Sequence, residues 1–97
     1  MTIYALSTGP GTSGIAVIRI SGKETPKVIR LLTSKELPLP RQATLRKFNK
    51  INTSELIDEG LLLWFPAPES YTGEDMAEIQ VHGSKAVVDA LHSTLSQ

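Results

Sequence analysis

Two segments with the hydrophobic pattern of β-strands constrain the fold of this chain most strongly. Residues 15–20 (IAVIRI) are almost entirely apolar, which predicts a strand buried on both faces. Residues 76–82 (MAEIQVH) alternate between apolar and polar side chains, which is typical of a strand with one covered face. Two such strands need a sheet whose apolar face is covered by other elements of the chain.

Turn and capping signals predict the remaining elements. Three further strands are expected at residues 2–6, 42–48 and 55–65, the last of them irregular at Gly60. Proline at position 26, preceded by the hydroxyl of Thr25, predicts a helix over residues 26–33.

Ser84 is the predicted N-cap of a second helix, which runs to the end of the chain without a stop signal. The chain is therefore expected to be part of a longer protein. The order of elements predicts one small α+β domain over residues 1–97, with a mixed sheet of about five strands and two helices packed on a face.

Composition excludes several classes of function. Ten lysine and arginine residues balance ten aspartate and glutamate residues, so no net charge attracts nucleic acid or an anionic membrane. The chain has no cysteine, and its two histidines, His82 and His92, do not make a zinc site. His92 is expected at the surface. The longest apolar run, residues 61–65, is too short to span a membrane, and no secretory signal precedes it.

The polar face of the last strand is the first candidate site. Alternation places Glu78, Gln80 and His82 on one side of that strand, either as a solvated surface or as the floor of a polar pocket. Arg19 is the one charge in its apolar strand and shares a face with Ile15 and Val17. It is expected either to form a structural salt bridge or to meet an anion or acceptor of a ligand.

Other motifs carry no defensible chemistry. The glycine-rich residues 9–14 lack the lysine followed by serine or threonine of a phosphate loop, and a strand follows them instead of a helix. They are expected to connect two strands tightly, with shaping of a ligand site by their backbone as the alternative. Residues 71–75 (YTGED) are interpreted as a turn with a solvated rim. The basic residues between 41 and 50 have no interleaved aromatic side chains for nucleic-acid bases. Neither a catalytic residue nor a metal ligand is predicted.

Taken together, the motifs resemble the N-terminal domain of the MnmE (TrmE) family of tRNA-modification GTPases. The resemblance covers nearly the whole chain, in the family's order and spacing. Its motifs are residues 14–22 (GIAVIRISG), 37–38 (LP), 63–66 (LWFP), 71–75 (YTGED), Glu78 and 82–83 (HG). Each motif is weak by itself, and the set is specific.

The resemblance implies a fold similar to folate-binding modules of the aminomethyltransferase type. It also implies binding of a one-carbon tetrahydrofolate, 5-formyltetrahydrofolate in particular, and homodimerisation. Two folate contacts of the family carry over to this sequence, Arg19 of the R-I-S-G motif and Glu78. One carboxylate can accept both adjacent donors of a pterin, its 2-amino group and its ring N–H.

The family's full-length protein adds a helical domain with an inserted GTP-binding domain, which holds GTP, potassium and magnesium. With a flavoprotein partner of the MnmG (GidA) type it installs a carboxymethylaminomethyl-type group on the wobble uridine of certain tRNAs. Those parts lie beyond these 97 residues. The chain alone is therefore expected to be neither a GTPase nor a complete modifying enzyme.

The sequence also departs from the family's pattern. Many bacterial members have T-P-P-G-R-G-G where this chain has residues 8–14 (TGPGTSG), and the usual H-G-G is 82–84 (HGS). The opening resembles mitochondrial members, which implies the mitochondrial matrix for a eukaryotic source and the cytoplasm for a bacterial one. Two other functions are considered: a dimerisation or partner-docking domain without folate, and an aminomethyltransferase fragment. The W-F-P and T-G-E-D motifs argue against the latter.

Overall fold

The computed structural model of the protein describes residues 2–6, 14–68, 70 and 72–96. Within these ranges the chain forms five strands and two helices, in the predicted order. They are β1 (Ile3–Leu6), β2 (Ile15–Ser21), α1 (Thr25–Thr33), β3 (Thr44–Asn49), β4 (Leu56–Phe65), β5 (Met76–His82) and α2 (Lys85–Leu95). The predicted α+β class is confirmed.

All five strands belong to one sheet, in the order β1-β2-β5-β4-β3. Each of the four strand pairs is antiparallel, so the prediction of a mixed sheet was wrong. The reason lies in the connections: three of the four pairs join strands that follow one another in the chain, which reverses their direction. The crossover through α1 takes the chain from β2 to the far edge, where β3 pairs with β4 instead of running parallel to β2.

The hydrophobic core lies between the sheet and the two helices. Ala16, Ile18 and Ile20 of β2 face it, and each is buried. The other buried apolar residues of this core are Ile29, Leu32, Phe48, Leu62, Trp64, Ala77, Ile79, Val81 and Leu91. Because the helices cover only one face, the expected burial of β2 on both faces was wrong: Ile15 is 57% exposed and Arg19 lies at the surface.

The two helices begin differently. At α1 the N-cap is Glu24, and its side chain makes no capping hydrogen bond. The predicted cap, Thr25, is instead fully buried and donates its hydroxyl to the carbonyl of Asp75 at 3.3 Å. At α2 the predicted cap is confirmed, because the hydroxyl of Ser84 accepts the backbone N–H of Val87 at 3.2 Å.

We expect the substitution Ser84→Ala to destabilise the fold by about 1 kcal/mol, because it leaves a backbone N–H in the first turn of α2 without its acceptor. Urea unfolding followed by circular dichroism measures the change. The matched control is Ser93→Ala, an exposed position in the same helix, which should be neutral or slightly stabilising because alanine favours helices. Equal stabilities for Ser84→Ala and the unsubstituted chain would show that the Ser84 cap does not stabilise the fold.

Glycine at position 60 is required by the approach of β4 to β5. A Cβ placed there would lie 2.1 Å from the carbonyl oxygen of Gln80, a distance that no side chain tolerates. Strand β4 nevertheless runs through Gly60 without a break. The irregularity expected at this residue lies instead in the pairing with β3, between Phe48 and Asn49.

Candidate functional site

The sheet face opposite the helices, called the open face below, carries most of the predicted site. Successive side chains of a strand alternate between faces, so this face collects every second residue of the three central strands. Its side chains are Ile15, Val17 and Arg19 from β2, Leu61 and Leu63 from β4, and Glu78 and Gln80 from β5. Apolar side chains therefore surround a small polar group on a surface that the helices leave uncovered.

Arg19 and Glu78 form the centre of the polar group. They are direct partners in the antiparallel pairing of β2 with β5, which places their side chains next to each other. The Nε of Arg19 donates to Oε1 of Glu78 at 3.2 Å. The arginine side chain is 43% exposed and the glutamate side chain 16%, so the carboxylate sits lower in the face than its partner.

Gln80 completes the polar group. Its Nε2 donates to Oε2 of Glu78 at 2.9 Å, so each carboxylate oxygen accepts one hydrogen bond from the protein. The cross-strand partners of Gln80 are Val17 on one side and Leu61 on the other. The sequence placed Gln80 on the right face, but the bond to Glu78 was not foreseen. Spacing of two along a strand was the available signal.

A second polar pair, which the sequence did not reveal, lies at the end of β5. Asp58 of β4 accepts the backbone N–H of His82 at 2.9 Å, and its carboxylate also lies 2.9 Å from the ring Nδ1 of His82. Partial burial, the largest single influence, would raise the pKa of Asp58, but the hydrogen bonds from His82 and from the backbone of Glu59 together hold that pKa below its usual value. Asp58 therefore stays ionised and ties the end of β5 to β4.

The lowered pKa of Asp58 predicts a pH-dependent stability. The contribution of Asp58 to the free energy of unfolding is fully present above the unfolded-state pKa of about 3.9. It is lost as the pH falls through the lower pKa of the folded state. We expect Asp58→Asn to be less stable than the unsubstituted chain at pH 7, and the difference to narrow below about pH 4. Urea unfolding of both proteins across this range measures it.

The control for this prediction is Asp89→Asn, which removes a carboxylate from an exposed ion pair with Lys85 on α2. Exposed pairs of this kind contribute little, so the control should follow the unsubstituted chain at every pH. If Asp58→Asn and the unsubstituted chain differed in free energy of unfolding by the same amount from pH 7 to pH 3, the lowered pKa of Asp58 would be contradicted.

A hollow of about 190 Å³ lies beside Gln80 of the polar group, on the side of His82. Its lining includes Ile15, Gly60, Leu61, Gln80 and His82, so it continues the open face beyond Gln80. Small-molecule sites usually measure about 300–1,000 Å³. The hollow is thus too small to enclose a drug-sized ligand, and neither Arg19 nor Glu78 lines it.

The segment before β5 has a structural role in the residues that are described. The carboxylate of Asp75 accepts the N–H of Ala67 at 2.9 Å, and its carbonyl accepts the N–H of Gly22 at 2.9 Å. The hydroxyls of Ser21 and Thr72 lie 2.8 Å apart. These contacts agree with the predicted turn. They lie at the end of the open face where β2 ends and β5 begins. Tyr71 lies outside the described residues.

Two further expectations concern the glycine-rich residues 9–14 and His92. Residues 9–13 of the glycine-rich loop lie outside the described residues, whereas the carbonyl of Gly14 accepts the N–H of Gly83 at 3.2 Å. His92, expected at the surface, is half-buried, and its ring centroid lies 5.4 Å from that of Tyr4. Over the described ranges, acidic and histidine side chains form no cluster that could hold a metal ion, and neither helix is long and apolar enough to cross a membrane.

Comparison with known proteins identifies the family. The family model described as "GTP-binding protein TrmE N-terminus" matches residues 2–97. The chain belongs to this family. It is 74% identical over its whole length to the tRNA modification GTPase MnmE of Pelagibacter ubique (strain HTCC1062), of which it covers 22%.

Mitochondrial relatives of the TrmE N-terminal family are also similar to this chain. The mitochondrial 5-taurinomethyluridine tRNA synthase subunit GTPB3 of Danio rerio is 48% identical over 97% of the chain, and the mitochondrial tRNA modification GTPase mss1 of Schizosaccharomyces pombe is 49% identical over 99% of it. The chain spans 19% of the length of each. The predicted membership in the MnmE family is thus confirmed, and the chain corresponds to about a fifth of its relatives.

Proposed function

We propose that this chain binds a one-carbon derivative of tetrahydrofolate, 5-formyltetrahydrofolate in particular, on the open face at Arg19 and Glu78. One observation carries the proposal. The two residues that the family resemblance implied as folate contacts lie 59 positions apart in the chain and are nevertheless in contact, 3.2 Å between Arg19 Nε and Glu78 Oε1. Apolar side chains beside them provide a surface for a flat heteroaromatic ring.

The roles of the two residues follow from their chemistry. A pterin presents a 2-amino group and a ring N–H side by side, and the carboxylate of Glu78 accepts both in the geometry that it would use with a guanidinium. Arg19 donates to one acceptor of the ligand: the pterin carbonyl, the formyl oxygen or the glutamate tail. Neither residue is assigned a catalytic role, because the arrangement accounts for binding alone.

Self-association is the second part of the proposed function. The open face and the strands beside it expose large apolar side chains, Ile15 at 57%, Ile3 at 60% and Leu45 at 60%. These side chains are spread over the sheet, with Ile3 and Leu45 on opposite edge strands, so self-association is proposed mainly on the family resemblance. A twofold homodimer is the commonest symmetric solution. We expect sedimentation to show a species of twice 10.5 kDa at tens of micromolar protein. A monomer alone would contradict this part.

The wider function that we propose concerns the longer protein. The relatives are named as tRNA modification GTPases and as a 5-taurinomethyluridine tRNA synthase subunit. On that basis the chain serves a GTPase that modifies the wobble uridine of tRNA together with an MnmG (GidA)-type flavoprotein. GTP, potassium and magnesium would bind in the GTP-binding domain, outside these residues. The 74% identity to a bacterial protein favours the bacterial cytoplasm over the mitochondrial matrix.

The decisive experiment is a calorimetric titration of the purified chain with 5-formyltetrahydrofolate, with GTP as the negative ligand. Saturable folate binding with no response to GTP supports the proposal. No folate binding by a well-folded, dimeric chain would favour the alternative function, a dimerisation and partner-docking domain without a folate. The exposed apolar side chains are the observation that favours this alternative.

A further inference from the structure

The carboxylate of Glu78 is held from two sides by the protein itself. Arg19 approaches Oε1 from the neighbouring strand, at 3.2 Å, and Gln80 approaches Oε2 from two residues further along the same strand, at 2.9 Å. Two donors that bind different oxygens of one carboxylate restrict its rotation about the last side-chain bond. A carboxylate with one donor has more freedom to rotate.

An ionised carboxylate has about four lone-pair positions, two on each oxygen. The bonds from Arg19 and Gln80 occupy one position on each oxygen of Glu78 and leave one on each. The two remaining positions, one on each oxygen, equal in number the two adjacent N–H donors of a pterin ring. We propose that Gln80 is a positioning residue, which orients the Glu78 carboxylate so that both oxygens accept from the ligand; this inference rests on the proposed folate binding.

The surroundings of Gln80 suit this role. Its cross-strand partners, Val17 and Leu61, are apolar side chains on the same face, and Gln80 is half-buried between them. Water therefore competes less for the Gln80–Glu78 hydrogen bond than at an exposed position. An amide donor also leaves the negative charge of Glu78 uncompensated from that side, which preserves the charge for the ligand.

The test is a double-mutant cycle on folate affinity with Gln80→Met and Glu78→Gln. Methionine keeps the length of the side chain and removes the donor. We expect Gln80→Met to weaken binding of 5-formyltetrahydrofolate about tenfold, because a Glu78 side chain that has lost this restraint must be ordered when the ligand binds. In the Glu78→Gln background, Gln80→Met should weaken folate binding by no more than about twofold. A residue that acts only by orienting the Glu78 carboxylate has no effect once that carboxylate is gone.

Two controls separate positioning from packing. Gln42→Met makes the same chemical change at an exposed position before β3 and should leave the affinity unchanged. Gln80→Asn keeps the amide but shortens the side chain so that it no longer reaches Glu78, and it should lose affinity like Gln80→Met. Thermal unfolding of each variant confirms that it is folded.

The outcomes distinguish this inference from the proposed function. If the unsubstituted chain binds no folate, the proposed function fails and the inference fails with it. If it binds folate and Gln80→Met binds equally well, the inference alone is refuted. An equal loss from Gln80→Met in both backgrounds would likewise refute it, because Gln80 would then act independently of Glu78. A loss confined to the background with Glu78 supports it.

Discussion

Replacement of Glu78 by glutamine should weaken the binding of 5-formyltetrahydrofolate by about ten- to a hundredfold. The substitution keeps the shape of the side chain but replaces one carboxylate oxygen by an amide donor, which would face an N–H of the ligand. The charge that strengthens the remaining hydrogen bond is also lost. Loss of a hydrogen bond to a charged group costs roughly 1.5–3 kcal/mol, which gives the stated range.

The fold should survive this substitution, because the core-facing neighbours Ala77 and Ile79 are unchanged. The matched control is Glu55→Gln, which removes a carboxylate from an exposed ion pair with Lys50, in the turn between β3 and β4. Calorimetric titration and circular dichroism of the three proteins give affinity and folding. Equal folate affinities in well-folded Glu78→Gln and unsubstituted chains would exclude Glu78 from the site. The alternative interpretation of this face, a solvated sheet surface, would then hold.

Replacement of Gly60 by alanine should have the largest effect on stability. The added methyl group would lie 2.1 Å from the carbonyl oxygen of Gln80 and 3.2 Å from Cγ1 of Val81. The nearest atom belongs to the backbone of β5, so β4 and β5 must move apart to make room. We expect a loss of about 3 kcal/mol, the upper end of what overpacking usually costs. The unfolding midpoint should fall by roughly 12–24 °C, since 1 kcal/mol corresponds to about 4–8 °C in a domain of this size.

The control is Gly14→Ala, at a glycine where an added Cβ meets no atom within 4 Å. It should change the stability by no more than about 0.5 kcal/mol. Thermal unfolding of both variants provides the comparison. Because Gln80 belongs to the candidate site, a folded Gly60→Ala variant should also bind folate more weakly. A Gly60→Ala protein as stable as the control would show that the two strands adjust without cost.

Local signals in the sequence were sufficient for most elements of this fold. The alternation of residues 76–82 predicted β5 with its bounds and assigned Glu78 and Gln80 to one face, because a strand's side-chain period is a property of the backbone. Ser84 predicted the start of α2 for a similar reason: a hydroxyl next to the first turn binds an N–H only a few positions away. The same rule failed for Thr25, because its buried hydroxyl donates to the carbonyl of Asp75 instead of accepting an N–H of the first turn.

Contacts between distant parts of the chain depended on the tertiary structure. Whether Arg19 meets Glu78 depends on β2 lying beside β5 in one particular register, and no local pattern specifies which strands are neighbours. The same holds for Asp58 with His82. The sequence by itself determined the strands, their faces, the family and the residues worth testing. The tertiary structure decided the antiparallel order and brought Arg19, Glu78 and Gln80 together, because pairing energy depends on neighbours that lie far apart in the chain.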